Sequence, residues 1–205
     1  AAFDEDDVKA GNDRIAVDAD HVVALWNGGN LRADIAEGTF GAEALAEVLP
    51  FPNKVAVVYM TGAQLLETLE AASQGLPYTA ETADACASLM QVSGLTYTVD
   101  TAKAYDALEA YGDHWFTAGS VSRVRIDDVN GQPFDAEATY AVVTSNANFN
   151  GMDSSYVLKA AAEANEQSAV TTAVVRDVVF RFIAAELNHQ VGEAYAAPQG
   201  RLTVL

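Results

Sequence analysis

The sequence predicts an α+β fold, a mixed β-sheet packed with helices. Two observations carry this. Short β-branched runs and helical stretches share the chain without the strict βαβ alternation of a parallel sheet. Half of the 205 residues are hydrophobic and a fifth are charged, an ordinary balance for a globular chain with a buried core. There is no internal repeat and no long low-complexity linker.

The elements follow in chain order. The first twenty residues are acidic and weakly patterned, and read as a helix or a poorly ordered lead-in. His21–Trp26 (HVVALW) is a short apolar run closed by Asn27-Gly28-Gly29, a buried strand running into a loop. Ala42–Leu49 reads as a short helix stopped by Pro50 and Pro52. Lys54–Met60 (KVAVVYM) has the β-branched content of a strand. Thr61 then caps a helix that runs to about Ser73 and ends at Gly75.

Residues 89–99 (LMQVSGLTYTV) read as one strand interrupted at Gly94, where a bulge fits. Ser120–Val129 and Thr139–Ser145 are further strands, the first leading into Asn130-Gly131, a strong hairpin-turn signal. In the first of these, Val124 and Ile126 alternate with Arg123 and Arg125, which predicts one polar face, wet or rimmed by a helix. Residues 171–187 give the clearest helical pattern, with Val174, Val178, Ile183 and Leu187 broadly on one face. Leu202–Leu205 closes the chain as an edge strand.

Composition excludes some functions. Eleven Lys and Arg face 29 Asp and Glu, a formal charge of −18 that repels nucleic-acid phosphates, so no nucleic-acid polymer is expected as a partner. The simplest role of that charge is solubility. No apolar run approaches the roughly 18 residues that a membrane span needs. Asp4-Glu5-Asp6-Asp7 is the reverse of a signal peptide's basic start, so either a signal has been removed or the chain is an internal fragment. Cys86 stands alone, which excludes an intrachain disulfide.

The loop Asn27-Gly28-Gly29-Asn30-Leu31-Arg32 is the most informative local feature. A strand ends, Gly28 and Gly29 let a ligand approach the backbone, and Arg32 follows to clamp a carboxylate, phosphate or sugar edge. Those six residues equally describe a glycine turn with a surface arginine. They match neither a dinucleotide-binding fingerprint nor a P-loop.

NGGNLRADIAEG, VLPFPNKV, MTGAQLLETLEAA, MQVSGLTYTVD and SRVRIDDVNGQPFDAEATYAVVTSN occur in that order. The series resembles the C-terminal domain of the 5′-nucleotidase family, which includes UDP-sugar hydrolases and 2′,3′-cyclic-nucleotide phosphodiesterases. The closing YAAPQGRLTVL resembles the family's last strand. The resemblance implies a 5′-nucleotidase C-terminal-domain-like fold over residues 1–205 as a single substrate-recognition domain. Asn27 and Arg32 would hold the nucleoside with Gly29 between them, Phe51 would stack on the base, and Asp153 would accept a sugar hydroxyl. Phe51 lies between two prolines, where exposure is expected. The family's second stacking Phe falls on Ala147 here, and Phe149 is the nearest candidate to replace it. Gly151-Met152-Asp153-Ser154-Ser155 stands where the family has G-G-D-G-Y.

In this family the chemistry belongs to two divalent metals on an N-terminal metallophosphatase domain, absent from this chain and expected in the same polypeptide. Such a site needs about six or seven Asp, Asn and His ligands. His21, His114 and His189 are the chain's histidines, far apart in sequence, and no cofactor is expected here. No catalytic residue and no nucleophile elbow is recognisable. The expectation is therefore a nucleoside- or nucleotide-binding domain of an extracytoplasmic, metal-dependent 5′-nucleotidase-type phosphohydrolase, inactive alone. The rival is a surface or scaffold module that has lost nucleoside binding, as Ala147 suggests.

Overall fold

The computed structural model of the chain describes residues 17–104 and 121–205. Most of the acidic lead-in, His114 and Ser120 lie outside the described residues. A five-stranded mixed sheet runs in the order β3-β1-β6-β2-β7, built from β1 (Val22–Asn27), β2 (Lys54–Thr61), β3 (Met90–Ser93), β6 (Thr139–Ser145) and β7 (Ala169–Val174). Within it β1 is parallel to β6, and the other pairings are antiparallel. A second sheet has the order β5-β4-β8: β4 (Leu95–Val99) pairs antiparallel with β5 (Val124–Val129) and parallel with β8 (Leu202–Val204). The fold is α+β with mixed sheets packed with helices, as expected, and the strands divide between two sheets.

Helices α1 (Ala42–Val48), α2 (Gly62–Ala72), α3 (Asn146–Phe149), α4 (Tyr156–Ala164) and α5 (Val175–Ala185) connect these strands. The main core joins both sheets to α2 and α4. It takes Val23, Leu25, Val58 and Met60 from the first sheet, Tyr97, Val99 and Ile126 from the second, and Leu65, Leu69 and Leu158 from the helices. A smaller cluster of Val57, Tyr59 and Ala141 covers the other face of the first sheet. Among the described residues, no helix is long and apolar enough to cross a membrane.

Local chemistry sets the boundaries. Thr61 caps α2 through a reciprocal capping box: the Gln64 amide donates to Thr61 Oγ1 (3.2 Å) and the Thr61 amide donates to Gln64 Oε1 (2.9 Å). At Gly94, φ is +79°, and a Cβ there would meet the Val22 carbonyl oxygen at 2.8 Å. The chain changes sheet at this glycine, so residues 89–99 form two strands rather than one bulged strand, and the register shift lies at Thr96/Tyr97.

Two further expectations are corrected. Residues 171–174 are strand, not helix: the β-branched run of β7 pairs with β2, and helix begins at Val175. Asn130 (φ 50°) and Gly131 (φ 80°) do make a tight turn, closed by a Val129–Gln132 bridge. Yet β5 and β6 belong to different sheets, because Asn130 Nδ2 ties the turn to the carbonyls of Asp20 and Val22 beside β1. The polar side of β5 is both wet and rimmed by a helix, in line with the alternation: Arg125 is exposed, while Arg123, just before the strand, is only 3% exposed against α2 and the turn after it. Its guanidinium donates to the Ser73 and Leu76 carbonyls, while the Glu70 carboxylate accepts from the Arg123 and Val124 amides, locking α2 to β5.

Candidate functional site

Three neighbouring strands bring the sequence-predicted residues to one end of the first sheet. β1 and β6 run parallel and side by side, and β2 runs antiparallel against β6. The chain leaving β1, the chain leaving β6 and the chain entering β2 therefore emerge at the same edge. Adjacent strands lie about 4.8 Å apart, so three loops distant in sequence share a space about 10 Å across. Asn27 ends β1 and the loop after it carries Gly29 and Arg32; the segment after β6 carries Phe149 and Asp153; Phe51 precedes β2.

Asn27 joins two of these loops. It is fully buried, and its Nδ2 donates to Asp153 Oδ2 at 2.6 Å and, more weakly, to the Ala87 carbonyl at 3.4 Å. Its Oδ1 accepts from Asn30 Nδ2 at 2.5 Å. Asp153 itself is exposed, leaving the rest of its carboxylate open to a ligand. Gly29 serves packing: a Cβ there would stand 2.9 Å from Ala87 Cβ and 3.3 Å from Asn27 Nδ2, displacing the amide that holds Asp153.

Arg32 and Phe51 meet separately. The Arg32 amide donates to the Val48 carbonyl (2.9 Å), anchoring the loop on α1. Its guanidinium carbon lies 5.4 Å from the centroid of the Phe51 ring, a cation–π contact. Phe51 is 41% exposed, as its position between Pro50 and Pro52 leads one to expect. A narrow gap lies between Phe51 and Asn30, lined also by Trp26, Leu49, Asn53 and Val175. Next to it an apolar groove of about 1000 Å³ opens, lined by Trp26, Leu31, Phe40, Leu49, Ile183 and Tyr195 among others. The loop after β1 separates the two: Arg32 faces Phe51, while Leu31 lines the groove.

Phe149 is placed differently. It ends α3 and packs, partly buried, against the main core. Asn148, which the sequence pattern does not single out, fixes this loop at both ends. It is fully buried, accepts from Ser145 Oγ (2.7 Å) and donates to Ser155 Oγ (2.8 Å). Between these anchors Asp153 (φ 50°) and Ser154 (φ 62°) both adopt left-handed backbone. Gln74 Nε2, from the turn after α2, donates to Ser154 Oγ. Gln74 and Asn148 are thus supports that no motif marks, and Asn30, inside the loop motif, was given no role by it, although the Ser145-x-x-Asn148 spacing is that of a helix cap.

No chemistry-bearing cluster accompanies these groups. Among the described residues, no three His, Cys, Asp or Glu side chains converge so as to hold a metal ion. His21 lies against the Tyr140 ring (5.2 Å between centroids), and His189 is exposed. The Cys86 Sγ donates to the Gly75 carbonyl (2.9 Å), and burial pushes its thiol pKa up, away from a reactive thiolate.

Comparison with known proteins agrees with this architecture. The family model described as "5′-nucleotidase, C-terminal domain" matches residues 6–160. The trifunctional nucleotide phosphoesterase protein YfkN of Bacillus subtilis is 30% identical over 128 residues, covering 60% of this chain and 7% of that protein. The solved 5′-nucleotidase precursor from Thermus thermophilus is 29% identical, with a TM-score of 0.68 over 98% of this chain and 33% of its own. The Haemophilus influenzae NAD nucleotidase shares the fold at 19% identity, with a TM-score of 0.64 over 91% of this chain and 30% of its own. The chain thus spans about a third of those two solved structures and much less of YfkN. With the family model matched over most of its length and the fold over nearly all of it, the chain belongs to the 5′-nucleotidase C-terminal domain family.

Proposed function

We propose that this domain recognises the nucleoside part of a nucleotide for a metal-dependent phosphohydrolase. In this reading two divalent metals sit on an N-terminal metallophosphatase domain of the same polypeptide, and the protein acts outside the cytoplasm. The observation that carries the reading is the convergence at one sheet edge. Asn27 binds Asp153 across 126 positions of sequence, and Arg32 stacks on an exposed Phe51 beside them. A structural role alone gives an exposed aromatic and an exposed carboxylate little reason to share that edge. The names of the relatives, a nucleotide phosphoesterase and a 5′-nucleotidase precursor, point the same way.

The roles divide by chemistry. The free part of the Asp153 carboxylate accepts a sugar hydroxyl, and Phe51 offers ring surface to the base. Arg32, already held over that ring, supplies a planar cation for the sugar side. Stacking on one ring is worth about 1–3 kcal/mol. Binding by the domain alone is therefore expected in the millimolar range, about −4 kcal/mol.

Adenosine titration of the ¹⁵N-labelled chain tests this. Resonances of Asn27, Arg32, Phe51 and Asp153 should respond, and Phe51→Ala should abolish the response. The pure chain should not hydrolyse AMP, UDP-glucose or 2′,3′-cyclic AMP, even with added divalent cations. One observation favours a second reading, a scaffold module that no longer binds nucleosides: position 147 is Ala, and Phe149 packs on the core. A titration without any response at these four residues would select it.

A further inference from the structure

Helix α5 carries six large apolar side chains, Val175, Val178, Val179, Phe180, Phe182 and Ile183, and none of its residues is buried. A helix this short owes its stability to an apolar face packed against something. One flank of that face borders the apolar groove beside the loop after β1. The groove continues into a second hollow of about 720 Å³, and the two share Phe40, Leu45, Ile183 and Val191 as walls. Leu31, Ile35, Phe180 and Tyr195, all more than a third exposed, line one hollow or the other. Apolar surface gathered in this way marks a place of interaction. Trp26 lines the same groove, and its indole Nε1 is buried with no hydrogen-bond partner among the described residues. An orphaned buried donor is costly, and an acceptor brought into the groove would satisfy it. The charged side chains along the groove are Glu37 and Glu193, both exposed, and no Lys or Arg lines either hollow.

We propose that this groove docks an amphipathic helix of a partner protein, apolar on one face and carrying Lys or Arg in its last turn. Three features select that occupant. The walls are side chains of α1, α5 and the segments around Phe40 and Val191, while Trp26 comes from β1, which is paired on both sides. No strand edge is therefore offered for an added β-strand, and a helix laid side chain to side chain suits such a surface. The last turn of a helix leaves carbonyls unpaired, which supplies the acceptor that Trp26 Nε1 lacks. Basic residues stabilise a helix C-terminus, and there they would meet Glu37 and Glu193. A second copy of this chain fits badly, because it brings a charge of −18 and the same two carboxylates to the contact. The inference is independent of the nucleoside reading: none of Asn27, Arg32, Phe51 and Asp153 lines the groove.

The probe is a leucine–lysine amphipathic peptide about four helical turns long, with its leucine–glutamate counterpart as control. In the ¹⁵N-labelled chain the two tryptophans give two indole signals, told apart by Trp115→Phe. The leucine–lysine peptide should move the Trp26 indole proton downfield, as a new hydrogen bond requires, and the leucine–glutamate peptide should leave it in place. Phe180 and Phe182 separate docking in the groove from mere attraction to an acidic chain. They are 48% and 45% exposed on the same helix, but of the two only Phe180 lines a hollow. Phe180→Ser should weaken peptide binding at least about fivefold, and Phe182→Ser should bind like the parent. Replacing both Glu37→Gln and Glu193→Gln, which touches no packing, should weaken it roughly two- to thirtyfold, the span of two exposed ion pairs. An unmoved Trp26 signal, equal binding of the two peptides, or equal losses from Phe180→Ser and Phe182→Ser would overturn the proposal. So would a chain that sediments as a dimer at the titration concentration, which would give the groove to a second copy.

Discussion

Replacing Asn27 with Ala tests whether the convergence at the sheet edge is an energetic fact. The side chain is fully buried and makes three hydrogen bonds, to Asp153, Asn30 and Ala87. Its removal strands the Asn30 amide, itself only 7% exposed, at a cost of about 1–3 kcal/mol for an orphaned buried donor. Losing the charge-assisted bond to Asp153 adds less than its gross strength, because that exposed carboxylate regains water. The total is about 2–4 kcal/mol, which for a chain of this size lowers the melting temperature by roughly 5–15 °C. Asp153→Ala alone should cost about 1–2 kcal/mol, since it leaves the buried Asn27 amide with only its long contact to Ala87. The double variant should then lose at least about 1 kcal/mol less than the sum of the singles. Urea unfolding of the four proteins, at constant m-value, measures each corner of the cycle. Additivity within about 0.3 kcal/mol would show that the loops after β1 and β6 are independent, and the proposed site would lose its frame.

Two more outcomes follow from buried charge. Burial raises the Glu67 pKa above the ordinary glutamate value of 4.5. Below that value the side chain is neutral in both folded and unfolded chains, and its stabilising balance is fully present. As pH climbs from 4.5 towards the raised folded value, the unfolded chain ionises first and stability is lost. Glu67→Gln should therefore match the parent in acid and melt higher at neutral pH; a gap between the two melting curves that does not widen across this range would contradict the assignment. Ile126 is 5% exposed in the main core, opposite Tyr97, so Ile126→Asp should destabilise by about 3–5 kcal/mol. An unchanged melting temperature would mean that β5 presents its other face.

Elements whose signals are local were legible in the sequence. Thr61 and Gln64 build their capping box within a single turn, and the β-branched run of β2 needs no partner to be recognised. What the sequence hid was decided at long range. Thr171 to Val174 fit a helical pattern with the residues behind them, but β2 had an open side and captured them as a strand. The alternation around Arg123 left open whether it would be wet or rimmed by a helix; the choice depends on the carbonyls of Ser73 and Leu76, about fifty residues earlier. The switch of sheets at Gly94 was visible only as an interruption. At the site, Asn27, Arg32, Phe51 and Asp153 stand out from motif order, while Asn30, Gln74 and Asn148 do not. Each of those three is an amide whose role exists only once its partner's loop is beside it.

The loop after β6 shows why those unmarked amides matter. Asp153 and Ser154 are consecutive non-glycine residues in left-handed backbone, a conformation costing of order 1–3 kcal/mol for each, and least for Asp. Such a pair persists only where its surroundings over-determine it. Here each strained residue is gripped by a side chain from another part of the fold: Asp153 by Asn27 of β1, Ser154 by Gln74 beyond α2. Asn148 closes the base of the same loop through Ser145 and Ser155. A loop serving only to connect β6 with α4 would relax, since glycine at 154 would remove much of the cost. This loop instead uses buried hydrogen bonds to hold an exposed carboxylate and an exposed methionine at a fixed edge of the sheet. Strain kept in place by long-range polar contacts is what the proposed recognition surface would require of its frame, and a module serving only as scaffold would not.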